Sequence, residues 1–506
     1  MRESNKIVSF RGSQIPEYEA EVLKDFEDLG VKKLYLDRID GVKLVPIVDD
    51  DIWNDDYKYV SSMIFSIDTN RVSKIELSNC GLSVIPDSIG KLSSLKEINL
   101  SRNKLTNLPE SIGKLFSLKE LILNNNNLET LPESIGNLKS LKKLDLANNV
   151  LKGIPESIGK LSLLKELMIY ENKLQTLPES IGDLSVLEYL FLDNNQLINL
   201  PESIGKLKSL LKLYINRNKI DKLPESIGNL YSLTNLDLGE NKLKNLPESI
   251  IQLKKLESLG LNCNKLEKLS DSIEKLESLE SLGLAGNKLK KVLASIGNIK
   301  SLLVLNLNSN HLKALPESIG NLSSLLQLHL DNNQLTILPE SIGKLSSLRE
   351  LELSRNLLSK LPESIGNLYS LEELFLQENR LTNLPESFGN LDCLYMLNLQ
   401  KNEYKNLPKC IGELKDLSYL NLNDNQLMSL PDSIANLPHI ATIELENNQL
   451  KSLPNFIGEL SSLRELNILH NNIVLNKKLL NELKKNGVLV ISEKLNEKSS
   501  NHVIID

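Results

Sequence analysis

The chain has 506 residues, with 59 Lys and Arg against 66 Asp and Glu and a formal charge of -7. Its 41% hydrophobic and 25% charged content is ordinary for a soluble protein, and 24 Gly and 18 Pro are too few for a collagen-like or Pro/Gly-rich disordered chain. No block of Lys and Arg is present to neutralise phosphates, so nucleic acid is disfavoured as a partner.

The first 30 residues mix charges throughout and hold no continuous apolar segment of the secretory kind. No apolar stretch approaches the ~18 residues that span a bilayer. Pro16–Leu29 (PEYEAEVLKDFEDL) has helical spacing, and Gly30 can end it. Lys32–Leu36 (KKLYL) reads as a strand. Asp49, Asp50, Asp51, Asp55 and Asp56 gather around Trp53 but lack the alternating ligands and turn glycine of a calcium loop. Val60–Ile67, a turn at Asp68-Thr69-Asn70, and Val72–Leu77 read as a hairpin. Residues 1–71 are thus expected to form an N-terminal cap of a helix plus a β-hairpin.

Length alone, at about 150 residues per domain, would suggest three domains. An internal repeat overrides that prior, because residues 72–475 read as one array. From Leu95 the chain runs LKEINLSRNKLTNLPESIGKLFS, and the next unit begins LKELILNNNNLETLPESIGNLKS. The asparagine of LxxLxLxxNxL recurs every 23 residues from Asn103 to Asn471, and Cys80 takes its place one step earlier. About 18 units follow one another without insertion or deletion. Alternating leucines give strand period. The asparagine then marks a bend, where its amide can both donate to and accept from backbone groups. The LPESIG segment predicts a short 3₁₀ return that the proline starts, since it fixes φ where no donor is needed. One coil cannot bury its apolar face alone, whereas stacked coils share a continuous core. After the array, residues 476–506 are expected to hold a cap helix (Asn476–Lys485, stopped by Asn486-Gly487), a strand at Val488–Ile491 and a polar tail.

These motifs resemble the leucine-rich repeat family. The resemblance implies an α/β solenoid, a horseshoe with a parallel sheet on its concave side, roughly 80 Å long at the usual strand spacing. The strict 23-residue LPESIGNL variant resembles the subclass found in Ras-pathway scaffold proteins and plant intracellular Ras-group proteins. Similar arrays also occur in bacteria and archaea. Lys6-Ile7-Val8-Ser9-Phe10 fits the short basic-x-Val-x-Phe segment that docks on type 1 protein phosphatases, with burial of Val8 and Phe10 in the cap as the alternative.

Catalytic signals are sparse. Gly-Lys pairs such as Gly113-Lys114 lack the upstream glycine and following Ser/Thr of a phosphate loop. The Ser-Ile-Gly triplets have no positioned histidine. Cys80, Cys263, Cys393 and Cys410 are far apart and form no disulfide or metal pattern, which suits a reducing, cytoplasmic setting. His311 and His329 fall in neighbouring units but different columns. No enzyme, cofactor or metal is expected.

A partner should sit on the concave strands. The residues four and two places before each asparagine supply 36 positions, eight of them acidic and none Lys or Arg. Such a face favours a basic protein surface. Within it Met168, Tyr170, Phe191 and Tyr214 cluster over three adjacent strands, with Tyr189 beside them and Asp193 and Arg217 at the edge. A second patch is Phe375, Met396 and Tyr419. Exposed aromatics ringed by charge are the usual makeup of a binding hot spot. In the middle of the array Ser270 and Leu293 replace prolines, Ile251 and Glu274 replace glycines, and Gly239, Gly260, Gly283, Ala285 and Gly286 leave the concave face bare. The expected function is a monomeric, non-catalytic scaffold. By resemblance it would bind a small GTPase or a type 1 phosphatase. The alternative is a secreted or surface recognition protein.

Overall fold

A computed structural model of the chain describes residues 6–11, 13–31, 33–39, 42–43, 62–474 and 477–492. The acidic cluster around Trp53 and the polar tail lie outside the described residues. The chain divides into two compact units, Met1–Leu256 and Glu257–Asp506.

The first unit opens with an antiparallel hairpin, β1 (Ile7–Phe10) and β2 (Ser13–Pro16), that the sequence patterns did not signal. Helix α1 (Glu17–Asp28) follows where helical spacing placed it, and Gly30 adopts φ +94° just past its end. Its apolar stripe, Val22, Leu23 and Phe26, is fully buried. Strand β3 (Lys33–Ile39) is longer than the KKLYL segment, returns in β4 (Val42–Lys43), and pairs parallel with β5 (Ser62–Asp68). Strands β5 and β6 (Arg71–Glu76) form the expected hairpin. Thr69 and Asn70 both have positive φ, as a two-residue hairpin turn with the right-handed twist requires. One buried carboxylate ties α1 to the array: Glu19 accepts from the Val72 backbone N–H at 2.8 Å and from Arg71 Nε at 2.6 Å.

Beyond β6 each unit is built from coils of one design. A three-residue strand begins every coil, from β7 (Glu97–Asn99) to β23 (Glu465–Asn467). Within each unit these strands pair parallel with a register offset of 23, for example Glu97 with Glu120 and Glu120 with Lys143. The central residue of each strand is buried, and so is the leucine two places on, as Leu121 and Leu123 show. The chain then turns through a residue in the left-handed region. Arg102, Asn125, Glu171 and Arg217 all lie between φ +54° and +57°. Asparagine fills that corner at several coils, including Asn125, Asn148 and Asn194, because its short polar side chain tolerates this conformation better than most.

The repeat asparagine comes next and is buried from Asn103 to Asn448, with Asn471 half-buried in the last coil. Asn126 Nδ2 donates to the carbonyls of Leu100 (2.9 Å) and Leu123 (3.0 Å), and its Oδ1 accepts from Leu105 N–H (3.0 Å). Asn149, Asn172 and Asn195 repeat the pattern one coil at a time. The amide satisfies its own corner and two backbone groups of the preceding coil.

The return is a five-residue 3₁₀ helix, such as Glu110–Lys114, preceded by an extended proline at φ near -70°. Ile112 N–H closes it onto the Pro109 carbonyl at 3.0 Å. Where Ser270 stands in for the proline, Ile273 N–H still closes onto the Ser270 carbonyl at 3.1 Å, and the Ser270 hydroxyl also accepts from Ser272 N–H. Where the return keeps its glycine, it faces the next coil closely: a methyl at Gly182 would lie 2.3 Å from the Ser203 carbonyl oxygen. The expectation of a bare face at the middle glycines needs correction at Gly283. A Cβ there would meet the Asn262 side chain at 2.8 Å, so that side chain fills the space. The second unit closes with α2 (Lys477–Lys485), whose Leu479 and Leu483 are buried, and with β24 (Leu489–Ile491), parallel to β23.

Replacing Asn149 by Ala strips partners from buried backbone groups of two coils and is expected to cost ~2–5 kcal/mol, measured by urea unfolding of the full chain. Gly182→Ala forces a backbone contact apart and is expected to cost ~1–3 kcal/mol by the same measurement.

Candidate protein-binding face

Alternation along a strand sends the first and third residues to one side of the sheet and the second to the core, and most short strands show it in their burial, with Asp145, Asn421 and Asn467 buried at the third position. The exposed face therefore has three columns, lying six, four and two places before each asparagine. The sequence-based count took only the last two and found no Lys or Arg. The first column corrects that count, since it adds Lys74, Lys143 and Lys212 along with six glutamates. Acidic groups still outnumber basic ones fourteen to three.

Strands β10 (Glu166–Met168), β11 (Tyr189–Phe191) and β12 (Lys212–Tyr214) lie side by side in register. One row across them is Met168, Phe191 and Tyr214. The Phe191 and Tyr214 rings meet edge to face with centroids 5.2 Å apart. Tyr189, two residues before Phe191 on the same strand, stacks on it at 6.5 Å with planes 6° apart. All four side chains are half-buried. The sequence placed Tyr189 beside the cluster; the structure makes it one of three touching rings.

Tyr170 and Asp193 occupy the next row, where Asp193 Oδ1 accepts from Asn216 N–H at 3.0 Å. Burial, with Asp237 nearby, pushes the Asp193 carboxyl up to about 6, against the opposing pull of that hydrogen bond and of Arg217. Burial likewise raises the Tyr170 phenol, helped by Asp145, Glu171 and Asp193. Arg217 sits on the left-handed corner, exposed, with Nε 2.8 Å from Glu240 Oε1.

In the second unit the other aromatic patch is looser. Met396 and Tyr419 are directly opposite in the first row, whereas Phe375 lies in the next row opposite Glu352 and Asn398. The two rows share a face, but no ring contact joins Phe375 to Tyr419 among the described residues.

The same face carries a group the sequence reading missed. His329 and Glu352 are register partners on β17 (Gln327–His329) and β18 (Glu350–Glu352), with Nδ1 and Oε2 2.7 Å apart. Glu350, two residues earlier on β18, completes a set of three donor atoms within 4.8 Å of one another. Burial disfavours the imidazolium, but the hydrogen bond and charge of Glu352, with Glu350 and Asp331, outweigh it and raise His329 above its ordinary value. Burial and the charge of Glu352 push Asp331 up to about 6. Pairing His329 with glutamates one coil away, rather than with His311, would have revealed the group.

The Lys6–Phe10 segment is folded into the molecule. Its strand β1 is hydrogen-bonded to β2, Val8 is half-buried, and Phe10 is buried with its ring centroid 6.2 Å from that of Phe65.

Models of the leucine-rich repeat region match residues 71–150, 211–286, 273–357 and 340–417, and leucine-rich repeat models match 139–197 and 416–437. A leucine-rich repeat protein of Leptospira interrogans is 34% identical, covers 82% of this chain and 94% of its own, and superposes with a TM-score of 0.64. A plant peptide hormone receptor, solved with its peptide, is 26% identical over 97% of this chain and 83% of its own, with a TM-score of 0.65. YopM from Yersinia enterocolitica is 29% identical over 79% and 82%, with a TM-score of 0.58. No curated protein sequence matches the chain. No helix of the described residues is long and apolar enough to cross a membrane. With 23-residue coils, an asparagine ladder and family models spanning most of the array, the chain belongs to the leucine-rich repeat family.

Proposed function

We propose that the protein is a non-catalytic scaffold that holds a protein partner on the exposed face of its sheet, centred on Tyr189, Phe191 and Tyr214. The observation that carries this reading is a run of three half-exposed rings, Tyr189 and Tyr214 each packed on Phe191, on a face that is otherwise largely polar and acidic. Aromatic anchors bordered by charge are what binding hot spots are made of. The ladder below them is rigid, so little ordering entropy is lost on association. Met168, Tyr170, Asp193 and Arg217 complete the primary patch, and Phe375, Met396 and Tyr419 form an accessory one. The acidic excess fits a partner with a basic surface. A small GTPase or a phosphatase in a cytoplasmic signalling complex, bound by a monomeric scaffold, suits that chemistry. Phosphatase docking through Lys6–Phe10 would require β1 to leave its hairpin, so such a partner would have to use the sheet face.

A second reading is a secreted or surface protein that recognises an extracellular ligand. It is favoured by the likeness to a receptor solved with a peptide hormone. Fractionation of the source cells separates the two readings, since the first predicts retention in the cytoplasm and the second recovery at the surface or in the medium.

Affinity capture from source lysate, followed by mass spectrometry, is expected to recover a partner that Tyr170→Ala/Phe191→Ala/Tyr214→Ala loses by at least ~30-fold in affinity, the ~2 kcal/mol scale of a single hot-spot ring. An unchanged partner list from a folded triple variant would remove this reading. Because Asp193 is raised to about 6, its charge is present above that pH and lost below it. A basic partner should therefore bind more weakly at pH 5 than at pH 7.5, and Asp193→Asn should flatten that dependence. The sign for stability is the reverse: burial favours the neutral carboxyl, so Asp193 contributes stability at low pH that is lost as pH rises through about 6.

A further inference from the structure

We propose that His329, Glu350 and Glu352 form a binding site for a divalent transition-metal ion of the zinc type on the sheet face of the second unit. The three side chains come from neighbouring strands in fixed register, with His329 opposite Glu352 and Glu350 two residues before it on the same side. They offer one imidazole nitrogen and two carboxylate oxygens within 4.8 Å of one another. Zinc binds nitrogen and oxygen at ~2.0–2.2 Å, so tetrahedral ligands stand ~3.4 Å apart. Binding would therefore draw the two glutamate side chains to that spacing.

The surroundings suit a cation better than they suit the bare side chains. Glu350, Glu352 and the adjoining Asp331 are three carboxyl groups facing one imidazole, and no Lys or Arg pairs with any of them among the described residues. His329 and Glu352 are largely withdrawn from solvent, with side chains 15% and 23% exposed. Amides hold both carboxylates: Gln327 Nε2 donates to Glu350 Oε2 at 2.6 Å, and Asn308 Nδ2 donates to Glu352 Oε2 at 3.2 Å. Supports of this kind orient metal-binding carboxylates. Leu328 and Leu351, buried between the ligand positions, fix the strands beneath. The mixed nitrogen and oxygen set favours zinc, cobalt or nickel over calcium and magnesium, which take oxygen ligands. Three protein ligands leave a fourth position open to water or to a donor from a bound molecule. The primary aromatic patch lies in the other unit, whereas Phe375 of the accessory patch is the register partner of Glu352.

The test uses the full chain, free of tags and stripped of metal, titrated with zinc chloride by calorimetry. One equivalent is expected to bind, and His311→Ala, altered at an exposed histidine in the neighbouring coil, should match it. His329→Ala and Glu352→Gln should each lose at least tenfold in affinity while circular dichroism stays unchanged. Glu350→Gln serves the same purpose should either of those fail to fold. Cobalt should give a visible absorption band in the wild type that His329→Ala lacks. Equal zinc affinity in the wild type and the folded ligand variants would overturn the assignment. So would loss through His311→Ala alone, or displacement of zinc by equimolar calcium.

Discussion

A buried amide, repeated every 23 residues, is the constraint on which both units depend. Each asparagine donates to the carbonyl three residues before it and to one twenty-six before it, and accepts from the N–H twenty-one before it, as Asn126 and Asn149 do. A buried backbone group left without such a partner costs ~1–3 kcal/mol. A coil one residue longer or shorter would carry the amide away from its partners on the coil below. That penalty accounts for an array that tolerates many substitutions at exposed positions and no change of length. The close approach of each return to the next, set by glycines such as Gly182 against Ser203, locks the other side of the coil to the same spacing.

Once the register is fixed, chemistry is free to vary on the sheet face alone. Core positions are held to leucine and isoleucine by burial, whereas the three outward columns only have to avoid clashes. Residues 23 apart in sequence become cross-strand neighbours, ~5 Å apart. That one relation assembles Phe191 with Tyr214 in the first unit and His329 with Glu352 in the second. The rigid ladder beneath means that neither group has to be ordered when something binds.

Electrostatics follows burial more than charge count. Ion pairs along the coil edges, such as Lys165–Glu188 and Arg355–Glu378, are exposed and contribute little. Asp193 and Asp331 sit within the face, where desolvation raises both to about 6. The net charge a partner meets therefore changes over a mildly acidic range. Glu19 is buried too, and burial raises it, but its bonds to Val72 and Arg71 offset part of that cost and hold α1 against the first coil.

The period of 23, the alternating leucines and the LPESIG return were enough to state the coil, the parallel strands, the 3₁₀ turn and the asparagine's role, because each is a local requirement repeated often enough to be read. Helix α1 and the β5–β6 hairpin were legible for the same reason, from helical spacing and a turn signal. The β1–β2 hairpin was not, since four-residue strands carry too little periodicity to register. The residue before each asparagine showed its left-handed corner only as a weak preference for Asn. The site was half-visible: its aromatic residues stood out in a chain with few of them, but the third outward column, the three-ring packing and the His329–Glu350–Glu352 group did not. Those depend on which residues of different coils face one another across the sheet, and on how far each side chain reaches. Sequence patterns specify the coil; only stacking brings side chains from separate coils within bonding distance.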